Sequence, residues 1–258
     1  MLEKQFCLER IFIAVVISFL IFSFLSDDFV QHQKTYARVR LAYKEKESGI
    51  IAKLKYQELD SKSLQLIFCA FKKEKQLQVF AKDKSGNQYS KLISYPICQS
   101  SGELGPKRRQ GDAQVPEGFY YINHFNPRSN FYLSLGISYP NKSDKIRKTA
   151  NDPGGAIYIH GDCVTIGCLP ITDDKIKELY VLALIAYQSG QQKIPVYIFP
   201  CELTEENVKQ LSKEFPNRKD LISFWKNIKN GYDLFFKYYR ELEYSFTASG
   251  DYVFTDFR

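Results

Sequence analysis

Ile159-His160-Gly161-Asp162-Cys163-Val164-Thr165-Ile166-Gly167-Cys168 places a nucleophile, a base and two glycines within ten residues. His160 closes Ala156-Ile157-Tyr158-Ile159, an apolar run opened by Pro153-Gly154-Gly155 that reads as a strand. On a strand, Ala156, Tyr158 and His160 share one face. Gly161 permits a sharp turn after the histidine, and Gly167 lets backbone N–H groups approach a reacting carbonyl with no Cβ in the way. If the eight-residue step from His160 to Cys168 folds back, a thiolate–imidazolium pair can form. The amides of Gly167 and Cys168 can then cradle an oxyanion, an effect worth ~3 kcal/mol per donor. Cys168 also lies just before a helix start, where the local field is expected to lower the thiol pKa. On spacing alone the structural reading prevails, since most cysteine–histidine pairs so spaced are structural.

Outward from this stretch the periodicity predicts an α+β chain. Thr172 is the expected N-cap of a helix that Asp173 and Asp174 favour through the dipole and Gly190 stops. Ile176, Leu179 and Leu182 to Ala186 make that helix apolar nearly all round, so it is expected to lie buried against a sheet. Strands are predicted over Leu64–Ala70, Leu77–Ala81, Leu92–Ile97, Phe119–Ile122, Phe131–Leu135 and Pro195–Pro200, with a last one around Tyr252-Val253-Phe254. Residues 29–62 are polar and poor in glycine and proline, and read as a loosely packed helical spacer. The four parts expected are 1–28, a signal peptide or signal anchor; 29–62, the spacer; 63–202, a strand-rich catalytic domain; and 203–258, a helical extension with a short strand.

The amino-terminal part carries Ile11 to Leu25, an uncharged apolar run of fifteen residues after Lys4 and Arg10. Its helical length of roughly 22 Å falls short of a ~30 Å hydrocarbon core, between a signal-peptide core and a short anchor. Bulky residues fill the usual cleavage positions, which favours an uncleaved anchor. Of the 258 residues 44% are hydrophobic and 25% charged, which excludes a disordered tail and a multi-span membrane protein. The net charge of +7 suits an anionic partner, but no basic block resembles a nucleic-acid arm. Lys107-Arg108-Arg109, the densest basic run, falls in a Gly/Pro loop and reads as a solvated face or a substrate contact. Three histidines exclude a His-rich metal site, and no paired zinc spacing exists among the six cysteines. Those cysteines are scattered and form no evident disulfide framework. Cys163 reads as a packed free thiol, with a Cys163–Cys168 redox lock as the alternative.

The motif resembles the active site of the L,D-transpeptidase catalytic domain family (YkuD-type), and within it the YafK-like branch, whose pattern is His-Gly-x-Cys-x-Ser/Thr-x-Gly-Cys before an acidic helix start. Gly111-Asp112-Ala113-Gln114-Val115-Pro116-Glu117-Gly118-Phe119-Tyr120 is similar to the branch's GD-x-x-TPEG-x-Y, with Val115 in place of threonine. Asn126-Pro127-Arg128-Ser129, Tyr139-Pro140-Asn141 and Phe224-Trp225 through Gly231-Tyr232 match further elements in order, so the resemblance covers roughly residues 63–255. Ile166 stands where the wider family often has a second histidine.

The resemblance implies a strand-rich YkuD-like fold and a cysteine acyltransferase of wall biogenesis and cell shape that needs no cofactor and no metal. It makes Cys168 the nucleophile and His160 the general base and acid. Gly167 and Cys168 supply oxyanion amides, with Gly161 and Thr165 in support. His124, Arg128 and Arg147 are candidate substrate contacts. The implied partners are peptidoglycan stem peptides, a wall-attached lipoprotein as a candidate acceptor, and the membrane through the amino-terminal run. Nucleic acid is excluded, and the expected place is the periplasmic side of the inner membrane. Transfer of the acyl group to an amine is expected; hydrolysis by the same chemistry and a non-catalytic wall-binding module are the alternatives.

Overall fold

The computed structural model describes residues 26–257; the apolar run Ile11–Leu25 lies outside them. Residues 26–34 are helical, and α1 (Ala37–Tyr56) follows. Then come β1 (Leu64–Phe71), β2 (Gln76–Asp83), β3 (Ser90–Pro96), β4 (Gly118–Asn126) and β5 (Ser134–Ile137). The short helix α2 (Lys142–Arg147) precedes β6 (Tyr158–His160), β7 (Leu169–Pro170), α3 (Asp173–Gln188) and β8 (Pro195–Phe199). The chain continues through α4 (Glu205–Glu214), α5 (Lys219–Tyr238), β9 (Tyr244–Phe246) and β10 (Tyr252–Phe254).

Eight of these strands form one sheet in the order β3-β2-β1-β8-β4-β5-β6-β7. The pairs β1–β8 and β6–β7 run parallel and the rest antiparallel. Beyond β3, the edge segment curls round: Cys98 N–H donates to the carbonyl of Pro170 in β7, the opposite edge, at 3.0 Å. The sheet therefore nearly closes on itself, which satisfies edge groups that an open sheet would leave unpaired.

The sheet is buried on both faces. In β1, Leu64, Leu66, Phe68 and Ala70 enter one core while Ile67, Cys69 and Phe71 enter the other. In β8, Val196 and Ile198 divide in the same way from Tyr197 and Phe199. Alternation with period two thus distributes an almost continuous apolar run between two layers. α3 covers the first face, buried from Leu179 to Ala186. α1 packs beside it through Val39, Ala42, Tyr43, Ile50 and Leu54, so this stretch is integral to the core and not loosely attached. Its mixed charge serves cross-helix pairs instead: Lys53–Glu178 at 2.9 Å, Lys177–Glu45 at 2.6 Å and Lys46–Asp174. The second face is covered by α4, α5 and the β9–β10 hairpin, led by Phe224, Trp225, Ile228 and Phe235.

Two local details differ from expectation. β5 starts at Ser134, because Phe131 and Tyr132 lie in an irregular approach where Tyr132 has a φ of 69°. Thr172 sits at the N-cap position of α3 but its φ is 70° and its side chain makes no capping bond; Asp173, the first helical residue, uses its carboxylate on the preceding loop.

Candidate active site

β6 and β7 bring Cys168 and His160 to one place. Their parallel register pairs Ile159 with Leu169 and His160 with Pro170. Ile159 and Leu169 point into the first core, so alternation puts His160 and Cys168 together on the opposite face. His160 ends β6 and Cys168 immediately precedes β7, so they stand diagonally across the pair, ~8 Å apart at Cα on the spacings of a parallel ladder.

His160 is buried. The Phe131 ring covers its imidazole at a centroid distance of 4.6 Å and 32° between planes. Gly161 O accepts from His160 Nδ1, which leaves Nε2 as the basic nitrogen of the neutral ring. Burial pushes the imidazole pKa down, while the Gly161 carbonyl and Asp162 oppose that shift.

Cys168 is half-buried, and its thiol lies 3.7 Å from Ala156 O. Burial raises its pKa; a backbone hydrogen bond from Tyr158 and the charge of Lys107 pull against that rise. The field of the following helix was expected to lower the thiol pKa, and desolvation outweighs it. Lys107 is itself buried, donating to Asp112 Oδ1 at 2.6 Å and Arg109 O at 2.9 Å. Despite desolvation, that lysine and the amides of Arg108, Arg109 and Gln114 hold the Asp112 carboxyl below its ordinary range. Lys107 and Arg108 are accordingly built into the fold, Arg108 pairing with buried Asp144 at 3.0 Å, while the Arg109 side chain is exposed.

The loop from Gly161 to Gly167 is tied down at several points. Asp162 N–H donates to Asp173 Oδ1 at 2.8 Å. A Cβ on Gly161 would lie 2.4 Å from that same oxygen and 2.9 Å from Phe131 O, so close approach and not turn geometry requires this glycine. Gly167 has a φ of 132° and its Cα faces Gln114 O, 3.0 Å from where a Cβ would stand. Thr165 Oγ1 accepts from Gly167 N at 3.2 Å and Cys168 N at 2.8 Å, and its hydroxyl donates to Cys168 O at 2.9 Å. The two amides expected to receive an oxyanion are thus already engaged by Thr165, because partly buried N–H groups need a partner.

Cys163 is joined to Cys98 by a disulfide with its Cα atoms 5.7 Å apart. The packed free thiol expected there is not what the fold contains, and Cys168 is a free thiol, as are buried Cys69 and Cys201. Cys98 gave no signal in the sequence, since it lies 65 residues away and meets Cys163 only through curling of the sheet.

A cavity of about 270 Å³ opens beside Cys168, lined by Lys72, Lys73, Lys75, Gln99 to Leu104, Val115 and Leu169 among others. The other candidate contacts do not line it. His124 and Arg128 line a separate groove of about 700 Å³ together with His32. Arg147 is paired with Asp251 and lines a third cleft beside Phe224. Lys107, Phe131 and Asp173 act on the site without having been singled out for it; Asp173 was visible only as a helix-start acid.

A family model described as the L,D-transpeptidase catalytic domain matches residues 66–198, just over half of the chain, with both His160 and Cys168 inside. The chain belongs to this family. Among curated relatives, the L,D-transpeptidase-family protein YafK of Escherichia coli K12 is 41% identical over 167 residues, which is 64% of each chain. The match therefore spans just under two thirds of that relative. Among solved structures, the helical cell shape determining protein Pgp2 of Campylobacter jejuni is 17% identical with a TM-score of 0.44, covering 72% of this chain and 74% of that one. L,D-transpeptidase 1 of Mycobacterium tuberculosis is 14% identical with a TM-score of 0.27 over 52% of this chain and 62% of its own. Within this family the described architecture is the L,D-transpeptidase α+β fold with added layers: α1, α4, α5, β9 and β10 all lie outside the matched residues.

Proposed function

We propose that this chain is a peptidoglycan L,D-transpeptidase that acylates Cys168 with a stem peptide and passes the acyl group to an amine. The observation that carries the proposal is the free Cys168 thiol, on a cavity wall and on the same sheet face as a buried histidine whose Nε2 is basic. In the first step Nε2 takes the thiol proton and sulfur attacks the L-centre carbonyl carbon. The imidazolium then protonates the departing amine, the C–N bond breaks and a thioester remains. In the second step an acceptor amine attacks the thioester, loses its proton to His160 and expels the thiolate. The amides of Gly167 and Cys168 serve the oxyanion once Thr165 Oγ1 rotates away from them.

Export to the periplasmic side of the membrane, through an anchor at Ile11–Leu25, belongs to the same proposal. The Cys98–Cys163 disulfide supports it, since such bonds persist in oxidising compartments.

Incubation with purified disaccharide tetrapeptides, followed by intact-mass measurement, tests the proposal. A covalent adduct on Cys168, absent in Cys168→Ala, is the expected result, with cross-linked dimers as product. Shortened monomers without dimers would make the chain a hydrolase. No adduct and no altered muropeptide with Cys168 reduced would make it a non-catalytic wall-binding module.

A further inference from the structure

Three lysines and one carboxylate, Glu103, line the cavity beside Cys168, a surplus of positive charge. Lys72 and Lys73 both line it, yet Lys72 is already neutralised, donating to buried Glu117 at 2.9 Å and to the carbonyls of Gly105 and Val115. Lys73 faces Glu214 at 3.4 Å, both largely exposed, an arrangement worth little in water. Lys75 has no ion-pair or hydrogen-bond partner for its ammonium among the described residues, although its backbone is fixed. Its N–H donates to Lys72 O and its carbonyl accepts from Ile97 N at 2.7 Å, while Lys72 N and Lys73 N extend the pairing to Phe199 and Pro200. The β1–β2 turn is therefore clamped between β8 and the segment after β3, which sets the lysine at the cavity rim. Ser101 lines the same cavity, and its Oγ is shielded from solvent and without a hydrogen-bond partner among the described residues. A hydroxyl in that state loses a bond it would make in water, and rotation about one torsion turns it to a ligand.

We propose that Lys75 and Ser101 form a carboxylate-binding subsite that orients the acyl donor beside Cys168. This rests on the reading of Cys168 as an acylated nucleophile and adds the feature by which donors are selected. An ammonium and a hydroxyl lining one cavity complement a carboxylate, whereas a neutral amide would gain less from the ammonium. Peptides offer two sources of such a group: the terminal α-carboxylate and an internal side-chain carboxylate. If the terminal one is read, the enzyme takes chain ends and not peptide bonds inside a cross-link.

The test uses the full chain and three forms of the disaccharide tetrapeptide: unmodified, amidated at the terminal carboxylate, or amidated at the internal one. Acylation of Cys168 is followed by intact mass as a function of donor concentration. Lys75→Gln and Ser101→Ala are each expected to lower kcat/KM for the unmodified donor about tenfold, mainly through KM. The amidated form that lacks the recognised carboxylate is expected to react slowly and equally with all three proteins. Calorimetric binding of the same peptides to Cys168→Ala, alone and combined with Lys75→Gln, gives the affinity loss without turnover. Equal discrimination between free and amidated donors in wild type and variants would overturn the subsite alone. No acylation of the wild type by any form would overturn the function reading and the subsite with it.

Discussion

Burial acts on Cys168 and His160 in opposite directions, raising the thiol pKa and lowering that of the imidazole, and both shifts favour the neutral partners. Each shift works against the thiolate–imidazolium pair that the spacing allows. Alkylation of Cys168 by iodoacetamide, read by intact mass, is therefore expected to climb only as pH passes above the ordinary thiol range of about 8.5. A rate plateau between pH 6 and 8 would show instead that the ion pair forms at rest. A lowered histidine pKa means that the base stays unprotonated until pH falls below about 6.5. The acid limb of acylation is expected there, and the stability that a neutral buried His160 maintains is lost over the same descent, as the unfolded chain takes up its proton first. At Thr165 the consequence is structural. Thr165→Val removes the acceptor for two amides and is expected to destabilise the fold by about 1–3 kcal/mol in urea unfolding, with Thr165→Ser close to wild type. The residues of the motif were legible in order. Their charge states were not, because desolvation and the buried Lys107–Asp112 pair exist only after packing.

Between elements, the loop from Gly161 to Gly167 is held by the Asp173 carboxylate and by the Cys98–Cys163 disulfide. Asp173 reaches back from α3 to Asp162 N, and Cys163 is bonded to the segment that follows β3. That segment also lines the cavity beside Cys168 through Gln99 to Leu104, so the disulfide ties one cavity wall to the loop that leads into Cys168. A bond closing 65 residues constrains the unfolded chain by an amount worth roughly 2–4 kcal/mol. The Cys98→Ser/Cys163→Ser double variant is expected to unfold at correspondingly lower denaturant, and wild type in reductant to match it. If the loop is positioned by the disulfide, acylation of Cys168 slows in both cases at temperatures where they remain folded; unchanged kinetics would confine the bond to a stabilising role. The main strands and α3 were readable from periodicity, as long patterns with period two or an all-apolar helix usually are. β7 and β9 were not, being two and three residues long, and the disulfide depends on an edge-to-edge meeting that no local pattern encodes.

At the scale of the whole molecule, one buried carboxylate ties the second core to the loop that walls the Cys168 cavity. Glu117 is fully buried; its Oε1 accepts from Lys72 Nζ at 2.9 Å and Gly105 N at 2.7 Å, and its Oε2 from Trp225 Nε1 at 2.7 Å. Sequence motifs exposed Glu117 and Trp225 separately, 108 residues apart, with nothing to say that they bond. Through this carboxylate α5, outside the family-matched residues, holds the loop of residues 102–117 that walls the Cys168 cavity and touches Gly167. The carboxyl-terminal layer is therefore expected to matter for catalysis and not only for solubility of the sheet. Glu117→Gln replaces an acceptor with a donor facing Lys72 or Trp225 and leaves the lysine unneutralised, which is expected to cost about 3–5 kcal/mol. Trp225→Phe keeps most of the packing and removes one hydrogen bond to a charged group, for a loss of about 1.5–3 kcal/mol. Urea unfolding gives both values. The Phe variant, measured for Cys168 acylation at a temperature where it stays folded, decides the coupling: a slower reaction ties the second core to the site. Wild-type rates with reduced stability would show that the loop holds its place without α5.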